Sequence, residues 1–497
     1  MLFALLRVNN YLQRQSNMYR NIFYLLLLTT LISSPTPAQD AQTAQTAQTA
    51  QNSQDNQDQS QKALELYQQA ETAYEKGDLT KAITLYRQVI QILPESFEPK
   101  YQCANAYLAL GKPELLSEAV LLLKDVTTLK PDFARGHATL GNVLARLNDF
   151  ELAETSLRQA LSLDNRLPIH SLLAELLLTR QAYKEAETEL KIAISQGNAE
   201  PQNYLLLAIC QQEQGQNMAA LDNYNKANEL KPQDTEILYR RGRLYQQQNI
   251  HASAIADLKL AYEASQNNVA IGVALVESYR QNEDKKTALI LAKTLIDKAS
   301  PETQAQLTEL LAQLGANDTA IAQLEKLLQS EPKNIQYLTR LGQLYLDINP
   351  SKSAEHWQQA VNINASIENQ IGLASALLKA QKFTAATDCF KSVLSKNPNS
   401  YEAHAGLALA LFKLDQFAPS AEEFIWVIKA RPENSISYYF LGICFDRLGD
   451  YRQAMSAYEI FLKKADPKLR QLEIEKVNLR LPSLRRQAEK QPKPKNN

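Results

Sequence analysis

The chain has 497 residues and a formal net charge of −1, with 45% apolar and 22% charged residues. That length exceeds what one hydrophobic core serves, so either several domains or an elongated array is expected. The near-neutral balance gives no basis for nucleic acid as an obligate partner, and with only 14 glycines among abundant Ala, Leu, Gln, Glu and Lys the composition favours helix over sheet.

Residues 1–38 carry Arg7, Arg14 and Arg20 and no acidic residue; the first is Asp40. An apolar run, Ile22 to Ile32, is followed by small residues and prolines ending at Thr36-Pro37-Ala38. A basic flank, a short apolar stretch and a small-residue site read as a secretory signal peptide, with translation starting at Met1 or, giving a more typical basic region, at Met18. The apolar run is shorter than the roughly 20 residues that span a bilayer. The expected location is therefore periplasmic or extracellular; the alternative is a membrane anchor left uncleaved. No cysteine lies near the cleavage site, so lipid attachment there is not expected.

Residues 39–62 are Gln, Ala, Thr, Asn, Asp and Ser up to Gln61, including Ala-Gln-Thr triplets, and end at Lys62. With nothing apolar to bury, they read as a disordered tether.

From Ala63 the pattern becomes periodic. Alanine recurs at Ala82, Ala119, Ala153, Ala186, Ala220, Ala254, Ala288, Ala320, Ala354, Ala386 and Ala454, with Ser420 filling the one gap, mostly at steps of 34 residues. Upstream of each, most units hold a second small residue, among them Ala70, Ala104, Gly141, Ala208, Gly242, Gly342 and Gly442. Each unit therefore holds two apolar-periodic segments of about 12–14 residues. They are joined by turns such as Gly77-Asp78, Asn148-Asp149 and Gly449-Asp450, where glycine accepts the left-handed conformation that closes a helix. Pro94, Pro131, Pro232, Pro332, Pro398 and Pro432 end second segments because proline cannot continue a helix.

These residues resemble the tetratricopeptide repeat. The last unit shows it best, with Tyr438, Leu441, Gly442, Phe445, Gly449, Tyr451, Ala454, Tyr458 and Phe461 at positions 4, 7, 8, 11, 15, 17, 20, 24 and 27. The resemblance covers residues 63–468, twelve repeats, and implies an all-α, right-handed α-solenoid superhelix of tandem helix-turn-helix units. The second repeat carries three extra residues within Lys112–Glu118. The seventh, near 269–300, lacks both the glycine turn and the terminal proline. It reads either as a hinge between two halves or as a divergent repeat packed normally, which volume-conserving drift permits. After Pro467, residues 469–481 read as a helix capping the last repeat, and 482–497 as a basic, disordered tail.

No residues assemble a catalytic constellation. The Gly111-Lys112 pair lacks the upstream Gly and the Ser/Thr of a phosphate loop, and no H-E-x-x-H occurs. His137, His170 and His404 fall at position 4 of their repeats, where the resemblance implies a packed ring rather than a metal ligand. Cys103, Cys210, Cys389 and Cys444 form no C-x-x-C pair. They fall in repeats too far apart to meet, so four free thiols are expected. No enzyme activity, cofactor or metal is expected.

Function then rests on surface. The resemblance implies that positions 2, 5, 9, 12 and 13 of the first helices line the inner, concave wall. Here these include Tyr67, Glu71, Tyr101, Asn105, Arg135, Asn142, Glu175, Tyr239, Arg243, Gln343, Tyr439, Asp446 and Arg447. The asparagines at position 9 can grip a peptide backbone. Lys at position 5 beside Asn at position 9, the clamp some relatives use for a terminal carboxylate, is replaced here by Tyr101 and Ala138. The expected function is a non-enzymatic scaffold of the cell envelope that binds a protein or extended peptide. The alternatives are an accessory subunit holding a catalytic or export partner, and a self-assembling structural protein. Membrane contact is expected only through an uncleaved signal or the basic tail, and the residues leave the oligomeric state open.

Overall fold

The computed structural model describes residues 43–490, with side chains from 57 onward; the signal segment and the alternative start at Met18 lie outside this range. The chain divides into two compact units at Asn267. In the first, twelve helices follow one another in pairs: α1 Thr43–Glu75 and α2 Leu79–Ile92, α3 Phe97–Leu110 and α4 Leu116–Leu129, α5 Ala134–Arg146 and α6 Phe150–Leu163, α7 His170–Thr179 and α8 Tyr183–Ser195, α9 Pro201–Glu213 and α10 Asn217–Leu230, α11 Thr235–Gln247 and α12 His251–Ala264. The second holds α13 Val269–Gln281 and α14 Lys285–Ile296, α15 Pro301–Gln313 and α16 Asn317–Ser330, α17 Ile335–Tyr345 and α18 Pro350–Ile363, α19 Ile367–Lys379 and α20 Phe383–Lys396, α21 Tyr401–Lys413 and α22 Phe417–Ala430, α23 Ser435–Leu448 and α24 Tyr451–Lys464, then a single α25, Gln471–Glu489. Among the described residues there is no strand, and the architecture is an all-α solenoid of helix pairs. No described helix is long and apolar enough to cross a membrane.

The small-residue column explains the pairing. Ala82, Ala119, Ala153, Ala186, Ala220, Ala254, Ala288, Ala320, Ala386 and Ala454 are all 0% exposed, each pressed where a second helix crosses its first. Ser420 occupies the same place, and its hydroxyl donates to the Ala408 carbonyl at 2.9 Å, so that this buried hydroxyl is satisfied. At the facing position, glycines admit bulky neighbours. A Cβ on Gly442 would stand 2.6 Å from the Tyr458 ring, and one on Gly242 2.8 Å from Leu258.

The turn inside each pair is closed by one left-handed residue. Gly77 (φ 79°), Gly111 (70°), Gly215 (76°), Gly315 (82°) and Gly449 (79°) do this without strain. Asn148, Gln181, Asn249, Glu283, Gln381 and Asp415 adopt the same conformation with φ between 57° and 63°. In the first pair the Asp78 amide donates back to the Ala73 carbonyl at 2.9 Å, while the Asp78 carboxylate accepts from the Lys81 amide at 3.2 Å and so caps α2. The ninth repeat departs from this. Asn349 precedes Pro350 and sits at φ −147°, because a residue before proline is pushed to extended backbone. Proline acts likewise at the ends of second helices. Leu93, Lys130, Lys231, Glu331, Asn397 and Arg431 each precede a proline, and each terminates its helix at φ between −123° and −139°.

The seventh repeat forms its helix pair, α13 and α14, with Glu283 in place of the glycine. The extra residues of the second repeat are taken up in a 3-10 turn, Pro113–Leu115.

Two boundaries differ from expectation. The tether expected over residues 39–62 is helical from Thr43 on, continuous with the packed half of α1. No Gly or Pro interrupts residues 41–76, and once Ala63, Tyr67, Ala70 and Ala73 are packed each further Ala or Gln extends the helix at little cost. The capping helix expected to stop at 481 runs through Pro482 to Glu489. Pro482 forfeits one backbone hydrogen bond, but it lies on the exposed side, and burial of Leu481, Leu484 and Ala488 on the other side offsets the loss.

Candidate functional site

The candidate wall residues fall into two groups. In the first unit Tyr67, Glu71, Tyr101, Asn105, Asn142 and Glu175 are at most 9% exposed; Arg135 and Tyr239 are half-buried, and Arg243 is exposed. Tyr67 stands edge-on to Tyr86, ring centroids 5.7 Å apart, and the Tyr86 hydroxyl donates to Glu71 Oε1 at 2.5 Å. Burial and the Glu71 carboxylate together push the Tyr86 hydroxyl far above its ordinary range. Tyr101 Oη meets Thr139 Oγ1 at 3.3 Å, tying α3 to α5. Asn105 Nδ2 donates to Gln102 Oε1 at 3.4 Å. On α3 every residue from Glu98 to Leu108 is buried. Six of the nine candidate wall residues in the first unit are thus buried.

In the second unit Gln343 is exposed and lines a cleft of about 370 Å³ between α15 and α17. Its neighbours are Gln336, Thr339, Arg340 and Glu309, and Arg340 Nη1 donates to Gln343 Oε1 at 2.9 Å while Arg340 Nε pairs with Glu309 at 2.8 Å. Tyr439 and Asp446 serve the chain end. The Tyr439 ring lies 5.3 Å from Phe461, and Asp446 takes a two-pronged bond from Arg480 of α25, at 2.8 and 2.6 Å. Arg447 is exposed, its guanidinium 5.9 Å from the Phe417 ring.

One surface was not singled out from the sequence. On the same side of α19, α21 and α23, positions 5, 9 and 12 bring together Ile371, Leu378, Ala405, Leu409, Phe412 and Ile443, all half-buried. Exposed Lys379, Lys413 and Arg447, one in each helix at position 13, edge this strip. The signal was present as hydrophobic residues at positions that the resemblance assigns to the wall, but a choice guided by polar chemistry passed over them.

The histidines hold the repeats together. His137, His170 and His404 each set Nε2 against a carbonyl of the preceding turn, Pro131, Asn165 and Pro398, at 3.0, 3.0 and 2.9 Å. His170 Nδ1 also faces Glu189 at 2.6 Å, and His404 Nδ1 faces Glu423 at 2.5 Å. All four cysteines are free; Cys103, Cys210 and Cys444 are buried and Cys389 is half-buried. Burial pushes the Cys103 and Cys210 thiols up to about 12. Among the described residues no group of three or more His, Cys, Asp or Glu is placed to hold a metal ion.

Comparison with known proteins agrees with this architecture. The TPR repeat model matches residues 71–111, and the tetratricopeptide repeat model matches 138–201, 205–269, 371–424 and 407–469, together more than half of the chain. Protein STIP1 homolog of Dictyostelium discoideum is 31% identical over 105 residues, 21% of this chain and 18% of that protein. Hsc70-interacting protein 1 of Drosophila melanogaster is 36% identical over 105 residues, 21% of this chain and 27% of that protein. The match thus spans only about a fifth to a quarter of these relatives' length. A solved tetratricopeptide repeat protein from Parabacteroides merdae aligns over 50% of this chain and 98% of its own, at 17% identity and a TM-score of 0.37. By its repeat pattern, its twelve helix pairs and the family-model matches over more than half of its length, the chain belongs to the tetratricopeptide repeat family.

Proposed function

We propose that this protein is an exported, non-enzymatic interaction scaffold that docks a protein or extended peptide on the first-helix surface of its second unit. The observation that carries the reading is the strip of Ile371, Leu378, Ala405, Leu409, Phe412 and Ile443, each half-buried. Apolar side chains left partly in water are stabilised when a partner covers them, at roughly 25 cal/mol per Å² removed from water. Lys379, Lys413 and Arg447 at its edge supply charged contacts that orient such a partner. Relatives named for interaction with Hsc70 support protein binding as the kind of activity. The basic flank, apolar run and Ala38 site support export to the periplasm or beyond.

The test is a tagged pull-down from the native envelope fraction beside a Leu409→Asp, Lys413→Glu variant whose circular dichroism matches the parent. A stoichiometric partner lost in the variant supports the reading, and one retained undiminished moves binding elsewhere. An identified partner with catalytic or export activity would make the protein its accessory subunit. Fractionation and N-terminal sequencing test the export half. A mature chain beginning at Gln39 supports it, and an unprocessed chain confined to the cytoplasm removes it.

A further inference from the structure

We propose that the outer face of α25 rests on an anionic lipid surface. The inner side of this helix is already used, with Val477, Leu481, Leu484 and Ala488 buried. Leu472, Glu475, Lys476, Leu479, Arg486 and Lys490, all exposed, are separated by three, four or seven residues and so share the outer face. Leu472 is 60% exposed, Leu479 83%, and Leu469, just before the helix, 76%. The end helix of a repeat array ordinarily turns a polar face outward, because no further repeat covers it. Here that face mixes leucines with three bases and one acid.

Charge names the occupant. Residues 452–497 hold twelve Lys and Arg against five Asp and Glu, a net +7, whereas the whole chain carries −1. Three of these bases are tied to acids of the chain: Arg470 to Glu473 at 4.0 Å, Arg480 to Asp446 at 2.6 Å and Arg485 to Glu459 at 3.8 Å. Lys463, Lys464, Lys468, Lys476, Arg486 and Lys490 are exposed and make no ion pair among the described residues. Against them stand Asp466, which accepts from the Lys468 amide at 2.9 Å, Glu475, which accepts from Gln471 at 3.0 Å, and Glu489. The surplus is positive with every acid included. A bilayer with anionic headgroups answers both features: leucines enter the acyl boundary, while lysine and arginine lay their aliphatic stems along it and reach the phosphates. Each base near such a surface strengthens binding about fivefold. Bases spread along the sequence from Lys463 to Lys495 meet a continuous sheet of charge better than the few carboxylates of one protein patch.

The experiment is cosedimentation of the full chain with vesicles of phosphatidylglycerol and phosphatidylcholine in equal parts, beside vesicles of phosphatidylcholine alone. The variants are Leu479→Asp and the combination of Lys476→Glu, Arg486→Glu and Lys490→Glu. The apolar run Ile22–Ile32 is present in each, so their differences report α25. These positions are exposed, so circular dichroism should be unchanged. The expected result is stronger binding to the anionic vesicles, weakened by raised salt. It should fall about a hundredfold or more in the combined variant and about tenfold with Leu479→Asp. In Leu479→Trp the added emission should shift to the blue on the anionic vesicles, a readout that attachment through Ile22–Ile32 does not move. Binding no stronger on the anionic vesicles, or undiminished in the combined variant, overturns the proposal. So does an added tryptophan whose emission the vesicles leave unchanged. Attachment to soluble polyglutamate but not to the vesicles also overturns it and gives this face to an acidic protein.

Discussion

Gly342 and Trp357 are so closely apposed that a Cβ at residue 342 would lie 2.5 Å from the indole Nε1 and 2.7 Å from Cδ1. The contact is locked by Ser353, whose hydroxyl donates to the Gly342 carbonyl at 2.6 Å. Gly342→Ala should therefore force the indole aside and destabilise the second unit by about 1–3 kcal/mol. Urea unfolding followed by tryptophan fluorescence measures this, and an unchanged midpoint would refute the packing described for this pair.

Glu283 holds a left-handed conformation, φ 62°, where glycine serves in five other turns. A side chain there costs roughly 1–2 kcal/mol, and glycine forfeits about 0.5–1 kcal/mol through the unfolded chain. Glu283→Gly should give a small net gain, visible as a melting temperature raised by a few degrees. A lowered melting temperature would mean the Glu283 side chain contributes more than its strain costs.

His170 links pH to stability. Burial alone would lower its pKa, but the Glu189 carboxylate and the Asn165 carbonyl, one at each ring nitrogen, carry it above the ordinary 6.5. A group whose folded value is raised stabilises the fold fully below its unfolded value and loses that contribution as pH rises through the folded value. The first unit should thus lose stability as pH climbs through and above neutrality. His170→Gln should flatten that dependence, read as melting temperature against pH for both proteins.

The thiols should report burial. With Cys103 and Cys210 pushed up to about 12 and Cys389 only half-buried, iodoacetamide at mild pH should modify Cys389 first in the folded protein. All four should react in denaturant. Peptide mapping that finds Cys103 modified first would contradict the buried placement of α3.

The helix pairs were legible because their marks are local and repeated. A small residue every 34 positions, a turn residue midway and a proline at the end each constrain the backbone within a few residues. Even the seventh repeat, which lacks two of these marks, folds as a pair because Glu283 tolerates a conformation that glycine only makes cheaper. What escaped reading depends on context. Pro482 does not end α25, since whether a proline stops a helix depends on what its neighbours bury. The tether became helix because packing at Ala63 and beyond nucleates what Ala and Gln then extend. On the candidate wall, the resemblance assigned position 5, held by Tyr101, and position 9, held by Asn105 and Leu409, to the same surface. It could not tell that the first two are buried while the third is only half-buried, because burial is set by what the rest of the chain packs over a helix.

Helix α1 runs unbroken from Thr43 to Glu75, and the 20 residues before Ala63 make a lever about 30 Å long. A flexible tether of equal composition would tolerate insertions freely, its reach growing slowly with length. A helical one counts residues. Each residue added or removed upstream of Ala63 shifts the far end by about 1.5 Å and swings it about 100° around the helix axis, so residue number there sets a bearing as well as a distance.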